Sequence, residues 1–213
     1  MLEGRIEIKV CGITEFTEAK ALKSLKVDYA GFIFAESPRK ISFRKARELA
    51  LVMGNTIRKV GVFTEIDTGM VNDLYKAGLI DILQLHNDNF ADISNILAPV
   101  WISVGIGDDG EFPSDGKYGF AEGIHLDTYD KKMKGGTGRS FNWSKARDFK
   151  TEKKLILAGG LNHNNIKEAL GNVKADVVDL NSGAEVFVNG KRYKDPELIK
   201  KFIRKVRDYE EQR

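Results

Sequence analysis

KVCGIT, Lys9 to Thr14, stands where a short apolar run stops and a helical pattern starts. Ile6–Val10 before it alternates with the two-residue period of a strand. After it, Phe16, Ala19, Leu22 and Leu25 recur as one face of a helix, with Thr14 the expected N-cap. The same strand-then-helix unit repeats along the chain. Further apolar runs lie at Tyr29–Phe34, Arg58–Phe63, Ile80–Leu85, Val100–Val104, Gly123–Leu126, Lys154–Ala158 and Ala175–Leu180. Eight strands with helical crossovers and no break in composition leave two architectures, a doubly wound sheet or a closed barrel. Even spacing, roughly 20 to 30 residues per unit, favours the barrel. The expected fold is therefore α/β, a single small (β/α)8 TIM barrel domain over residues 1–213. Gly105–Tyr118 is the exception, since its Gly, Asp and Pro content predicts a loop in place of the helix after the fifth strand.

Composition agrees with a globular domain that has a real core: 42% hydrophobic and 31% charged residues, with a net charge of +3. One cysteine allows no intramolecular disulfide, which fits a reducing compartment and leads to an expected cytoplasmic location. The opening MLEGRIEIKV lacks the apolar core of a signal peptide, and no apolar run approaches the length of a membrane span, so no membrane partner is expected. The densest basic stretch is Lys200, Lys201, Arg204, Lys205 and Arg207. Leu198, Ile199, Phe202, Ile203 and Val206 run between them as one helix face. This predicts a docked amphipathic helix with a solvated basic side, capped by Asp195 with Pro196 in its first turn. Nucleic-acid binding calls for a larger basic excess with interleaved aromatics, and neither is present. Oligomeric state, monomer or homodimer, is not legible.

Strand parity locates the polar groups. Residues two apart share a face, so Lys9 and Cys11 lie opposite Ile6, Ile8 and Val10. By the same rule Gln84 pairs with His86, His125 with Asp127, and Asp179 with Asn181. In a parallel barrel the apolar face meets the helices, so these polar faces point inward, near the C-terminal strand ends where barrel enzymes hold their active sites.

Cys11 and Asp127 both end inward-facing strands, which makes them a candidate base and acid. Their reference pKa values, about 8.5 and 3.9, suit neither role near neutrality. The thiolate needs positive potential, expected from helix N-termini, and the carboxyl needs burial. The ordinary alternative for Cys11 is a small buried hydrophobe. AGGLN (Ala158–Asn162) and NSGAE (Asn181–Glu185) close strands seven and eight with glycines that let backbone amides approach an anion, where barrels commonly hold phosphate; otherwise they are tight turns. GGTGRSFNW (Gly135–Trp143) is long enough for a lid or substrate-positioning loop. In SPRK (Ser37–Lys40), Arg39 is a fork-shaped donor suited to clamping a carboxylate through two nitrogens. His86, His125 and His163 lack metal-ligand spacing; the first two read as hydrogen-bonded lumen residues.

These segments, KVCGIT, DYAGFIFAESPRKIS, VGVF, LQLH, HLDT with GGTGRSFNW, LAGGLN and DLNSGAE, in this order resemble the phosphoribosylanthranilate isomerase family from end to end. The resemblance implies a small (β/α) barrel with no metal or organic cofactor. It implies an Amadori rearrangement of a phosphorylated small-molecule substrate, an N-ribosyl anthranilate phosphate. Carried over by motif, Cys11 would remove the C2′ proton, Asp127 would protonate the ring oxygen, and Arg39 would hold the anthranilate carboxylate. Gly159, Gly160, Ser182 and Gly183 would bind the phosphate, and Asp179 would touch substrate. Two positions depart from the family pattern: Asn87 where glycine usually follows QLH, and Asn181 where a serine is usual. The alternatives are another sugar-phosphate barrel, either an indole-glycerol-phosphate synthase or a histidine-pathway isomerase, and a non-catalytic phosphosugar-binding barrel. The synthase would use lysine and glutamate chemistry, and the histidine-pathway enzyme an aspartate where Cys11 stands.

Overall fold

The computed structural model describes residues 4–86, 93–106, 118–128, 143–147 and 149–213. Eight strands, β1 (Glu7–Cys11), β2 (Tyr29–Ile33), β3 (Arg58–Phe63), β4 (Ile82–Leu85), β5 (Val100–Ile106), β6 (Gly123–Thr128), β7 (Lys154–Leu157) and β8 (Val177–Leu180), close into one barrel in chain order. Every neighbouring pair is parallel, and β1 meets β8 with Lys9 opposite Asp179. The expected strands are all present, with ends displaced by at most two residues.

Helices α1 (Phe16–Ser24), α2 (Phe43–Met53) and α3 (Thr68–Lys76) follow β1, β2 and β3; α4 (Ile166–Asn172) follows β7, and α5 (Pro196–Glu210) ends the chain. The described parts of the crossovers after β4 and β6 carry single 3-10 turns, Ile93–Asn95 and Trp143–Ala146. Most of Gly105–Tyr118 and of Gly135–Trp143 lies outside the described residues. One expectation is corrected at α1. Its N-cap is Glu15, not Thr14, because the Glu18 carboxylate reaches back to accept from the backbone N–H of both Thr14 (2.8 Å) and Glu15 (3.1 Å). A buried carboxylate two hydrogen bonds deep outcompetes a threonine hydroxyl for the start of the helix. At α5 the Asp195 cap accepts from Glu197 N at 2.8 Å with Pro196 in the first turn, as expected. Ile199, Phe202 and Val206 are fully buried while Lys200, Lys201, Arg204 and Lys205 face water. Each such apolar side chain contributes about 1.5–3 kcal/mol of transfer free energy, which docks the helix without help from its charges. No helix among the described residues is long and apolar enough to cross a membrane.

A repeated device at the N-terminal end sets the register of three strand pairs. Asp28, Asp81 and Asp176 stand just before β2, β4 and β8, and each carboxylate accepts a backbone N–H from the preceding strand, at Ile8 (2.8 Å), Lys59 (2.6 Å) and Leu155 (2.7 Å). A one-residue slip would break these bonds and turn each inward side chain out.

The barrel interior is layered, as the parity of its strands requires. The lower layer is apolar and aromatic: Tyr29, Val60, Ile82, Trp101, Ile156 and Val177. Beneath it Glu7 accepts from Tyr29 Oη (2.9 Å) and Lys154 Nζ (2.5 Å) and pairs with Arg58, which closes the bottom with satisfied charges. Cys11, Ile33 and Val62 form the top layer. Between the two lies a polar stratum that a hydrophobic core alone would not require.

A second finding lies beyond what periodicity revealed. After β8 the chain makes a 3-10 turn (Ser182–Ala184) and an antiparallel hairpin, β9 (Glu185–Val188) with β10 (Lys191–Lys194), before α5 begins. Its turn uses Asn189 (φ 49°) and Gly190 (φ 75°). EVFVNGKRYK is a strand–NG–strand signal, submerged in the reading of one crossover.

Candidate active site

The polar stratum is one continuous hydrogen-bonded chain across the lumen. Lys9 Nζ donates to Asp179 Oδ2 at 2.5 Å, and His125 Nε2 lies 3.0 Å from the same oxygen. His125 Nδ1 is 3.0 Å from Ser103 Oγ, which accepts from Gln84 Nε2 at 3.3 Å, and Gln84 Nε2 is 2.6 Å from His86 Nε2. Five strands (β1, β8, β6, β5 and β4) each supply a member, at the inward positions that parity assigns, with His86 following β4. His86 and His125 are thus lumen residues held by hydrogen bonds, as expected. Burial, with His125 and Lys9 adding to it, pushes His86 down to about 3, so that ring is neutral at physiological pH.

Lys9 is wholly buried. Burial opposes its charge, but Asp179 and then Cys11 outweigh this and hold the ammonium above its usual range. For Asp179 burial likewise opposes ionisation, and Lys9 and His125 more than offset it, holding the carboxyl well below the usual carboxylate range. The pair is therefore ionised in the barrel centre. Asp179 Oδ1 is buried and has no hydrogen-bond partner among the described residues, an acceptor left open beside the lumen.

Cys11 sits one inward position above Lys9, 5% exposed, with Gly31 of β2 beside it. A Cβ at Gly31 would lie 2.6 Å from Cys11 Sγ, so the bare backbone there makes the room the sulfur occupies. Burial pushes the Cys11 thiol up; Lys9 pulls it down, Asp179 pushes it up and Lys194 pulls it down, with the net direction upward. The positive side chains that act on this thiol are two lysines, Lys9 and Lys194. Asp127 is the penultimate residue of β6, on the same side as His125, and is half-buried.

Arg39 is 4% exposed and lies across the loop ends of β1 and β8. Its Nε donates to Glu185 Oε1 (2.8 Å), and its Nη1 to Gly12 O (2.9 Å) and Glu18 Oε1 (3.1 Å). Nη2 is buried, with no hydrogen-bond partner among the described residues. The expected fork thus has its Nε and Nη1 engaged by the protein, and Nη2 is its one nitrogen not so engaged among the described residues. Parity could not reveal Glu18 and Glu185, which come from α1 and the hairpin; a two-sided carboxylate brace has no sequence period. Lys194 was hidden for the same reason. It is buried on β10 and donates to Asn181 O (2.9 Å), Asn181 Oδ1 (2.7 Å) and Glu185 Oε1 (2.9 Å). The departure at Asn181 therefore supplies an amide oxygen that a serine side chain would not, and Lys194 takes it. Asn87 lies outside the described residues.

The two glycine turns meet. Gly159 (φ 88°) and Gly160 (φ 65°) lead the chain out of β7 in the left-handed region. Asn162 and Asn165 side-chain amides then both donate to Gly160 O, at 3.3 Å and 3.0 Å. From the other loop, Gly183 packs so closely that a Cβ there would stand 2.1 Å from Leu161 O and 2.8 Å from Asn162 Cβ. Ser182 next to it is exposed. Cys11, Asp127, Arg39, Asp179 and both loops therefore all stand at the C-terminal end of the barrel.

The model of the N-(5'-phosphoribosyl)anthranilate isomerase family matches residues 8–205. The chain belongs to that family. The isomerase of Clostridium acetobutylicum is 36% identical over 208 residues, 96% of this chain and 99% of its own. The crystal structure of the Thermotoga maritima isomerase superposes with a TM-score of 0.78 at 29% identity, covering 95% of this chain and 99% of that one. An isomerase crystallised with reduced 1-(o-carboxyphenylamino)-1-deoxyribulose 5-phosphate superposes with a TM-score of 0.73, also at 29% identity, over 95% and 99% of the two chains. The chain is thus an isomerase of this family on a closed eight-stranded parallel barrel.

Proposed function

We propose that this barrel converts N-(5'-phosphoribosyl)anthranilate to 1-(2-carboxyphenylamino)-1-deoxyribulose 5-phosphate, with Asp127 as general acid and Cys11 as general base. The acid gives its proton to the ribose ring oxygen as the C1′–O bond breaks, leaving an open-chain iminium. The Cys11 thiolate then takes the C2′ proton, and its electron pair moves to form the enolamine, which tautomerises to the ketose. Acid and base must act on the two ribose atoms that flank C1′, and strands β1 and β6 bring them to the same lumen from different sides. Arg39 offers Nη2 to the anthranilate carboxylate, Asp179 offers Oδ1 to a ribose hydroxyl, and the joined loops of Gly159, Gly160, Ser182 and Gly183 offer amides to the phosphate.

The observation that carries this reading is the meeting, at one end of the barrel, of a thiol and a carboxyl with an unpaired guanidinium nitrogen and two interlocked glycine turns, in a chain of this family. Loss of substrate fluorescence on adding the protein tests the activity. The kcat/KM profile is expected to be bell-shaped, one limb for the acid and one for the base, and a profile flat from about pH 5 to 9 would count against the mechanism.

Gly183→Ala tests the phosphate site. The added methyl must push the β8 turn away from Leu161, which shifts the loop amides relative to those of Gly159 and Gly160. KM and the inhibition constant for inorganic phosphate are expected to rise about tenfold to a hundredfold, with kcat falling less. Unchanged phosphate inhibition would remove Gly183 from the site.

A further inference from the structure

Lys9 is fully buried, stands on the same side of β1 as Cys11, and has its ammonium held at 2.5 Å by Asp179, which is itself held by His125 at 3.0 Å. A buried lysine in a barrel core is costly unless paired, and a leucine with no partner would fill the same layer at no electrostatic cost. Pairing alone accounts for the charge balance, but it does not explain why this cation is placed next to the one thiol. We propose that Lys9 is a positioning residue, its ammonium clamped by Asp179 and His125 so that the thiolate of Cys11 forms against a fixed positive charge. This rests on the reading of Cys11 as the base, and it adds the group that makes the base available.

The charges facing Cys11 come from three elements. Lys9 is on its own strand, Asp179 is on β8 and Lys194 is on β10, while His125 of β6 reaches the thiol only through Asp179. Arg39 passes the neighbouring Gly12, with its Cδ 2.9 Å from where a Cβ there would be, but its Nε and Nη1 are turned to Glu185 and Glu18. Lys9 and Asp179 act on the thiol in opposite directions. The clamp is thus a balance: Asp179 keeps the lysine charged and oriented while withholding part of its field from the sulfur.

The opposition supplies the test. The chain has one cysteine, so the ultraviolet absorbance of the thiolate, followed against pH with Cys11→Ser as blank, reports this sulfur alone. In Lys9→Met the thiolate fraction near neutrality is expected to fall roughly tenfold, the effect of about one unit in the midpoint, with the alkylation rate falling in parallel. In Asp179→Asn the amide oxygen can still accept from Lys9 and only the negative charge is lost, so the midpoint is expected to move the other way, and in Lys9→Arg it stays near the wild-type value. A residue that merely fills space would move none of these, and one that merely stabilises the fold would not reverse sign between the two partners. Shifts in the same direction for Lys9→Met and Asp179→Asn, or no shift in either, overturn the proposal. If Lys9→Met does not fold, Asp179→Asn decides alone, and an unchanged or raised midpoint there overturns it. The readout uses no substrate, so its failure is separate from that of the base assignment, which falls if Cys11→Ser keeps its turnover.

Discussion

Cys11→Ser and Asp127→Asn are each expected to lower kcat by about 10²- to 10⁴-fold, the range that positioned general acids and bases contribute. Serine keeps the size and place of the thiol but holds its proton far more tightly, so the C2′ proton loses its acceptor. Asparagine keeps the shape of the Asp127 side chain and has no proton to give to the ring oxygen. Because opening the ring and abstracting the proton are successive parts of one rearrangement, the double variant is expected to lose little more than the worse single variant. KM should change by much less, since the phosphate loops and Arg39 are untouched. Single-turnover decay of substrate fluorescence, with circular dichroism to establish folding, measures this. Near-wild-type kcat in either variant would remove that residue from the chemistry.

Glu18→Ala is expected to cost roughly 3–5 kcal/mol of stability, as does removal of one member of a buried charge network. Glu18 is 2% exposed and accepts from the N–H of Thr14, Glu15 and Lys194 and from Arg39 Nη1, at 2.8, 3.1, 2.7 and 3.1 Å. Truncation would leave the start of α1, the end of β10 and one side of a buried guanidinium without their acceptor. The urea midpoint should drop while the slope of the transition is kept. Glu36→Ala is the control: its pair with Lys40 is at the surface, with the Glu36 side chain 90% exposed, and no measurable change is expected. A loss below about 1 kcal/mol for Glu18→Ala would show that the network is re-formed by other groups.

Much of this molecule can be read in one dimension because its elements are periodic. Strand parity placed Lys9, Cys11, Gln84, His125, Asp127 and Asp179 on the inner face before any contact was known. A strand covered on both sides forces its polar residues into the lumen. The N-terminal aspartates, Asp28, Asp81 and Asp176, form a repeat that is plain once seen, yet a single residue before each strand carries no period. The hairpin β9–β10 was missed for a related reason. Its NG turn is a strong signal, but it falls inside what the barrel pattern treats as one crossover. The Arg39 brace has no linear signature at all, since Glu18, Arg39, Glu185 and Lys194 come from four different elements.

By itself, then, the sequence determined the barrel, the end at which its chemistry collects, and the candidate acid and base. Alternation, spacing and glycine placement are local consequences of backbone geometry, and they survive without knowledge of the partners. Only the tertiary structure decided that Lys9 and Lys194 are the cations that act on Cys11. It also decided that Arg39 spends Nε and Nη1 on Glu185, Gly12 and Glu18, and that the two glycine turns interlock at Gly183. Those are properties of charges and donors brought together from distant parts of the chain. Their strength depends on burial and on distances of a few ångströms, which no single stretch of sequence contains.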